Sequence, residues 1–216
     1  MGRCYNLFSM RKIKFVNDNY YHIYNRGVDK RRIFLRNGHY IRFIETLNQL
    51  LFFGTAQKNI ETSTNSSFNN KLDFICYVLM PNHYHFLIKQ KEDKAITEFM
   101  HKINTSYTKF FNLNNKRTGR LFEYTFKAVL IESDEQLIHV SRYIHLNPLV
   151  SNLVTNLDNY KWSSYLDYVG KRNGKLVNKD EILGLFNNNP SKYGKFVLDH
   201  IDYARLLHKI KKIALD

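Results

Sequence analysis

Residues 74–88 of the chain read FICYVLMPNHYHFLI, and this stretch decides the fold. Two apolar runs rich in β-prone residues stand on either side of the Pro81-Asn82 pair, which breaks regular structure. We therefore predict two adjacent strands, over about 72–80 and 83–90, that form a hairpin. In a strand, residues i and i+2 point to the same face, so His83 and His85 are expected to project side by side.

Two neighbouring imidazoles on one strand have two interpretations. Neutral imidazole binds divalent metals well, and a rigid strand holds two such ligands with little loss of conformational entropy. Alternatively, both histidines are ordinary strand residues whose hydrogen bonds are satisfied within the fold. The His-x-His spacing alone does not separate these interpretations, so the rest of the chain has to be considered.

The segments around the hairpin predict an α+β fold. Residues 20–25 predict a first strand, in which His22 is expected to be a core or hydrogen-bonded histidine because no histidine stands two residues away. Apolar residues recur at helical spacing over 37–54 and about 95–113, and a fourth strand is predicted around 125–132. With a further helix after it, this order is that of a ferredoxin-like βαββαβα antiparallel sheet with helices on one side.

The helix after the fourth strand has a well-marked start. Ser133 followed by Gln136 is a capping-box pattern, and Pro148 disfavours helical geometry in the residue before it, so the helix is predicted to end there. Residues four apart on a helix share a stripe that can face a neighbouring element. On this helix one such stripe carries His139, Tyr143 and Asn147.

The chain is predicted to divide into a main domain, residues 1–170, and a basic helical C-terminal extension, residues 171–216. A Ser-, Thr- and Asn-rich segment, about 54–70, has few residues that could join a core and is predicted to be a flexible surface connection. In the extension we predict a helix near 179–186 and a pair of helices over 191–215.

Composition restricts the class of protein. The chain has 216 residues, 44% of them apolar, which is enough for one substantial core. No apolar run approaches the roughly 18–20 residues of a membrane span, and the N-terminal segment lacks the features of a secretion signal. Cys4 and Cys76 are far apart and are expected to be free thiols, which favours a cytoplasmic protein. The nucleoid association that we also expect follows from the positive charge of the chain.

Positive charge is the strongest bulk feature of the sequence. The formal net charge is +14, and between Arg11 and Arg42 nine basic residues stand against two acidic ones. Basic residues interleaved with tyrosines suit a nucleic acid, because cations bind phosphates and rings stack on unpaired bases. A solvated basic surface is the alternative. The candidate DNA-binding residues are Arg26, Lys30, Arg31, Arg32, Arg120 and Lys127.

Several motifs together resemble one family. Residues 81–85 (PNHYH), 142–148 (RYIHLNP) and 162–165 (WSSY) are similar to motifs of the single-tyrosine, His-hydrophobe-His transposases. Within these the chain is most similar to the REP-associated tyrosine transposases, named for repetitive extragenic palindromes. Residues 21–27, 119–122 and 126–127 also fit that pattern. Each motif alone is weak, but their combined order over about residues 20–170 is specific.

The resemblance implies a mechanism and roles for four residues. In this family a tyrosine attacks a phosphodiester of single-stranded DNA near a hairpin, which leaves a 5′-phosphotyrosine link and a free 3′-OH. By resemblance His83 and His85 are metal ligands, Tyr143 is the nucleophile and Asn147 supplies a third ligand. The metal is expected to be Mg²⁺ or Mn²⁺, the partner a single-stranded DNA with a palindromic hairpin, and the assembly a monomer or a homodimer.

Some alternatives stay open at this point. Tyr107 also follows the histidines on a predicted helix and is a rival nucleophile. Asn147 precedes Pro148 and is alternatively a helix-end residue, and either His139 or His145 could assist Tyr143. A domesticated DNA-binding protein that no longer cuts, and a relaxase or replication initiator with the same chemistry, are the competing functions.

Overall fold

The computed structural model describes residues 13–54, 67–201 and 205. The predicted connection over 54–70 and the predicted helices over 191–215 therefore lie largely outside the described residues, as does Cys4. Among the described residues no helix is both long and apolar enough to cross a membrane. The strands are β1 (Tyr20–Arg26), β2 (Leu72–Met80), β3 (His83–Gln90) and β4 (Lys127–Ile131), and the α-helices are α1 (Asn37–Asn48), α2 (Ala95–Asn114), α3 (Asp134–Val150), α4 (Tyr165–Tyr168), α5 (Asp180–Gly184) and α6 (Pro190–Leu198).

The strands of the described part form one antiparallel sheet in the order β2-β3-β1-β4. This is the ferredoxin-like arrangement, and it confirms the predicted fold class. The hairpin around Pro81-Asn82 has the predicted bounds. Directly paired residues share a face of an antiparallel sheet, and one row that crosses all four strands contains Val78, His85, Tyr24 and Lys127.

The two faces of the sheet are covered by different helices. Because side chains alternate along β3, Tyr84 and Phe86 lie on one face, where their rings contact Phe43 of α1. His85 lies on the other face, where its ring contacts Tyr143 of α3. The prediction of helices on one side therefore holds for α1 and α2 and is wrong for α3, which packs on the opposite face.

Helix α3 begins as predicted and ends later than predicted. The Ser133 hydroxyl accepts a hydrogen bond from the Gln136 amide at 3.2 Å, which caps the first turn. The helix then passes through Pro148 to Val150. Proline removes its own N–H donor, and its ring crowds the carbonyl of the residue four positions before it, here Ile144. Both effects fall near the end of the helix, where burial of Pro148 and Leu149 stabilises the helical path.

The segment after α3 packs against the main sheet. Strand β2 is an edge strand, yet its outer edge is covered: the Leu79 amide donates to the Trp162 carbonyl at 2.9 Å, and the Asn178 amide donates to the Phe74 carbonyl at 2.8 Å. Helix α6 packs on α3, and its Tyr193 belongs to the same buried cluster as the sheet residues. The described part of the predicted extension thus shares the core of the main domain.

Candidate active site

His83 and His85 lie on the face of β3 that α3 only partly covers. The His83 Nδ1 donates to the Asn82 Oδ1 at 2.6 Å, and the Asn82 amide group donates in turn to the Lys30 carbonyl at 3.2 Å, which fixes the orientation of the amide. With the proton on Nδ1, the lone pair of His83 lies on Nε2. Tyr84, between the two histidines, points to the opposite face and is fully buried.

His22 of β1 is part of this site, although the sequence indicated an ordinary strand histidine. Its Nε2 lies 2.8 Å from the Nδ1 of His85, and the two rings stack with centroids 5.0 Å apart. One of these nitrogens donates the shared proton and the other accepts it. The hydrogen bond that sequence analysis expected for His22 exists, but its partner is a predicted metal ligand 63 residues away.

All three imidazoles are held neutral. Burial lowers the pKa of His22 to about 4. Burial, and then the charge of Arg26, lower the pKa of His83 to about 4, while a hydrogen bond with Asn147 acts in the opposite direction. Burial, followed by the neighbouring His22 and His83, lowers the pKa of His85 far below its usual value. Neutral imidazole is the form that can bind a metal.

Tyr143 of α3 stands over the same histidines. Its ring meets those of His85 and His22 edge-on, with centroids 5.4 and 5.9 Å apart, and 49% of the residue remains exposed. Partial burial raises the pKa of its phenol, a hydrogen bond with Asn147 lowers it, and Tyr24 raises it. The phenol therefore keeps its proton in the free protein at neutral pH.

Asn147 lies one helical turn after Tyr143 and inside α3. Its Nδ2 donates to the Tyr143 carbonyl at 2.9 Å, which leaves the side-chain oxygen turned toward other partners. Because α3 continues beyond it, Asn147 does not end the helix, and the end-of-helix alternative is wrong. The amide instead interacts with both His83 and Tyr143.

The rival tyrosine is enclosed in the core. The Tyr107 hydroxyl donates to the Ile33 carbonyl at 2.6 Å, the residue is fully buried, and burial strongly raises the pKa of its phenol. The α1 and α2 face of the sheet, where Tyr107 packs, is opposite to the histidines. Tyr107 has no access to a substrate at the histidine site.

The two histidines considered as helpers of Tyr143 have other partners. His139 contacts Arg142, with Nδ1 2.5 Å from a guanidinium nitrogen. His145 is fully buried, with Nδ1 2.7 Å from the Tyr193 hydroxyl and Nε2 2.8 Å from the Ser164 hydroxyl. The ring contacts of Tyr143 within the described residues are with His22 and His85.

A cavity of about 330 Å³ opens beside the histidines on the half of the face that α3 leaves uncovered. Arg26 pairs with Glu123 at 3.1 Å, and the Lys127 ammonium lies 4.3 Å from the ring centroid of Tyr124. The cavity therefore combines neutral nitrogen ligands with two cations and one carboxylate, a net positive charge that suits an anionic substrate. It is lined by Tyr24, Asn25, Arg26, Asn82, His83, His85, Glu123, Tyr124 and Lys127.

The predicted DNA-binding residues fall into three places. Arg26 and Lys127 line the cavity, whereas Lys30, Arg31 and Arg32 lie in and after a 3₁₀ turn that follows β1. Within that group Arg31 is tied to the Val28 carbonyl and to Asp29, and Arg32 is exposed. Arg120 lines a separate groove that adjoins the cavity at Tyr124.

The donor set of the site fits a metal that accepts imidazole and amide ligands. In His83 and His85 a hydrogen bond occupies Nδ1, so Nε2 is the nitrogen that could bind a metal. In the part of the chain that the structure describes, no group of three or more His, Cys, Asp or Glu side chains is arranged as a metal site. Among the described residues, a third ligand would come from a side chain of another type, such as the Asn147 amide.

Fold and site together define an α+β protein that carries histidines on one face of its sheet and a tyrosine on the helix above them. Residues 16–147, more than half of the chain, match the family described as "Transposase IS200 like". The chain therefore belongs to the IS200-like transposase family, and the predicted recognition is confirmed. No curated protein matches the chain in sequence.

Two solved structures are similar to this chain. One is described as a REP-associated tyrosine transposase bound to a REP hairpin; it is 13% identical, covers 78% of this chain and 90% of its own, and superimposes with a TM-score of 0.58. A candidate transposase from Deinococcus radiodurans R1 is 13% identical, with 62% of this chain and 95% of its own covered, at a TM-score of 0.38. The first likeness establishes a shared fold.

Proposed function

We propose that this transposase is a metal-dependent endonuclease and strand transferase that cuts single-stranded DNA near a hairpin, with Tyr143 as the nucleophile. The observation that supports this most directly is the position of Tyr143, half exposed and edge-on to His85 and His22 of its own chain. In the proposed reaction the nucleophile acts beside histidines of the same chain.

His83, His85 and Asn147 would hold the metal, with Mg²⁺ or Mn²⁺ as the candidates. Members of the family generally depend on a metal ion, and imidazole and amide ligands suit Mn²⁺ while Mg²⁺ accepts the amide oxygen. When bound, such an ion supplies a positive charge that polarises the scissile phosphate.

The neighbours of the ligands fix their orientation. Asn82 holds the Nδ1 proton of His83, and His22 would accept the Nδ1 proton of His85, so that both Nε2 lone pairs point away from these partners. Such outer hydrogen bonds set the tautomer and raise the basicity of a ligating histidine. His22 therefore contributes by positioning His85, without touching the substrate.

In the proposed reaction the Tyr143 oxygen attacks the phosphorus of a phosphodiester. A phosphotyrosine ester forms with the 5′ side of the downstream strand, the bond from phosphorus to the 3′ oxygen breaks, and the 3′ oxygen leaves as a hydroxyl. The phenol proton must depart, and the raised pKa of Tyr143 means that the free protein does not ionise it in advance. Attack of a 3′-OH on the ester reverses these steps and rejoins strands.

The surroundings of the cavity favour a single strand of DNA as substrate. Arg26 and Lys127 line it beside the histidines, and the exposed Arg32 lies just after the 3₁₀ turn that follows β1. Cations in this arrangement bind phosphates without reading sequence. The hairpin itself is proposed by analogy with the solved transposase that was captured with a REP hairpin.

The test is formation of a covalent protein–DNA adduct. A hairpin-containing single strand from the repeats that flank the gene, labelled at its 3′ end, is incubated with the protein and Mn²⁺ and run on a denaturing gel. The native chain is expected to carry the label and Tyr143→Phe to carry none. Tyr107→Phe, which removes a hydroxyl far from the cavity, is the matched control and is expected to form the adduct.

An adduct with Tyr143→Phe, or loss of the adduct with Tyr107→Phe alone, would contradict the assignment of the nucleophile. If the native chain binds the hairpin but gives no adduct with Mn²⁺ or Mg²⁺, the alternative of a DNA-binding protein that does not cut is the better description.

A further inference from the structure

Tyr124 stands at the wall between two cavities. It lines the histidine cavity and also a second groove of about 290 Å³, and 42% of the residue is exposed. The Lys127 ammonium lies over its ring at 4.3 Å. An exposed tyrosine is common on protein surfaces, so its value as a site depends on how it is held and on what surrounds it.

The backbone that carries Tyr124 is fixed although it belongs to no strand or helix. The Asn25 amide donates to the Tyr124 carbonyl at 2.8 Å and to the Thr125 carbonyl at 3.0 Å, and Asn25 is only 2% exposed. From the other side, the Asn104 amide donates to the Thr125 carbonyl at 2.7 Å. Side chains of β1 and α2 thus clamp this backbone, so the ring is presented from a rigid base.

The lining of the second groove is mostly apolar and carries two cations and several polar groups. Its charged residues are Lys109 and Arg120, and Thr105, Thr108 and Asn104 add hydroxyl and amide groups. Both cations are exposed. Together with Lys127 on the opposite side of Tyr124, they place positive charge along a path that continues from the histidine cavity.

We propose that Tyr124 is a stacking platform for an unpaired base and that the second groove carries the single strand onward from the scissile phosphate. The proposal rests on the proposed function and adds a subsite to it. Aromatic rings in single-strand-binding proteins stack bases with little regard to sequence, while neighbouring cations follow the backbone. One face of the ring carries Lys127, and the remaining exposed surface is available to a base.

The experiment measures equilibrium binding without cleavage. Binding of a fluorescently labelled single-stranded oligonucleotide is followed by anisotropy in the presence of a chelator and in a Tyr143→Phe background. Tyr124→Ala is expected to weaken binding by about 5- to 150-fold, the range that loss of one stacked base produces. Tyr124→Phe keeps the ring and is expected to restore affinity. Phe53→Ala removes another exposed ring, which is outside both cavities, and serves as the matched control.

Substrate variants separate stacking from charge. On a strand whose bases near the cut are replaced by abasic positions, Tyr124→Ala and the parent should bind equally. The proposal is overturned if Tyr124→Ala binds like Phe53→Ala, if Tyr124→Phe is as weak as Tyr124→Ala, or if the loss is the same on duplex DNA. Because no cleavage is measured, failure of the covalent adduct and failure of this platform are distinguishable.

Discussion

The pair His22–His85 links two strands that hydrogen bonds of the backbone already join. Because the His22 Nε2 and the His85 Nδ1 share one proton at 2.8 Å, the tautomer of His22 decides which nitrogen of His85 carries its proton. If His85 binds a metal through Nε2, the Nδ1 proton needs an acceptor, and His22 is placed to be that acceptor. A residue that touches neither metal nor DNA then influences the affinity for the metal.

Replacement of this acceptor should weaken metal binding. His22→Phe keeps a ring of similar size but leaves the Nδ1 proton of His85 without a partner, and we expect about 10- to 100-fold weaker binding of Mn²⁺. Free Mn²⁺ can be followed by electron paramagnetic resonance during a titration of the DNA-free protein. His139→Phe makes the same exchange on α3 beside Arg142, away from the cavity, and should bind Mn²⁺ as the native chain does. Equal affinities for both variants would argue against a role for His22.

At the scale of elements, the position of Tyr143 depends on what holds α3. A buried chain of hydrogen bonds runs through His145: Ser164 donates to its Nε2, its Nδ1 donates to the Tyr193 hydroxyl, and that hydroxyl donates to Ser141 at 3.1 Å. The Tyr77 amide of β2 donates to the Ser164 hydroxyl at 2.9 Å. Helix α3 is thereby fastened to β2 on one side and to α6 on the other, which fixes its rotation over the histidines.

Breaking this chain should affect the reaction as well as stability. Tyr193→Phe leaves the His145 donor unpaired in the core and should lower the free energy of unfolding by about 1–3 kcal/mol. Tyr168→Phe is the matched control, because its hydroxyl donates to the Ile75 carbonyl at 3.0 Å and not to α3. Comparable urea unfolding of the two variants, with slower adduct formation only in Tyr193→Phe, is the expected result. Equal adduct rates would show that α3 does not need this anchor.

For the whole molecule, buried neutral histidines tie stability to pH. Burial lowers the pKa of His22 and His83 to about 4 and that of His145 to about 3, all from an ordinary value of 6.5. Below pH 6.5 these histidines therefore become protonated in the unfolded chain but stay neutral in the folded chain. By linkage, the contribution of these groups to stability is complete above pH 6.5 and is lost as the pH falls toward 4.

We accordingly expect the free energy of unfolding, measured with urea and a chelator, to fall steadily between about pH 7 and pH 4. Of these three histidines, His145 has the largest lowering of its pKa, and protonation of its Nε2 would break the hydrogen bond from Ser164. In His22→Phe one of the titrating groups is gone, so the curve should be flatter. An unfolding free energy that stays constant over this range would contradict the neutral state of these rings.

Local sequence patterns were sufficient to predict the hairpin strands and the start of α3. The two apolar, β-prone runs and the Pro-Asn break between them defined β2 and β3, and the capping pattern at Ser133 gave the start of α3. These signals are set by neighbours within one or two turns, so they can be read from sequence. The end of α3 was mispredicted because burial of Pro148 and its neighbour, a tertiary effect, outweighed the local preference.

The site was predictable only in part for the same reason. The resemblance named Tyr143 and His85, and the structure places them together, but the partnership of His22 with His85 depends on the diagonal register of two strands distant in sequence. No periodicity around His22 signals that contact. The clamp of Asn25 and Asn104 on the backbone at Tyr124 was likewise invisible, because it joins β1, α2 and an irregular segment.

The covered edge of β2 has a consequence for how the chain is made. Every residue of β2 is buried, and its outer edge is covered by the segment around Trp162 and Asn178. During synthesis this segment is added roughly eighty to one hundred residues after β2. Until then a nascent chain presents an apolar strand with free backbone groups, the kind of edge that pairs with other copies and aggregates. The segment around Trp162 and Asn178 thus protects the edge of β2 from pairing with other chains. A fragment that ended with the family match at residue 147 would lack this protection.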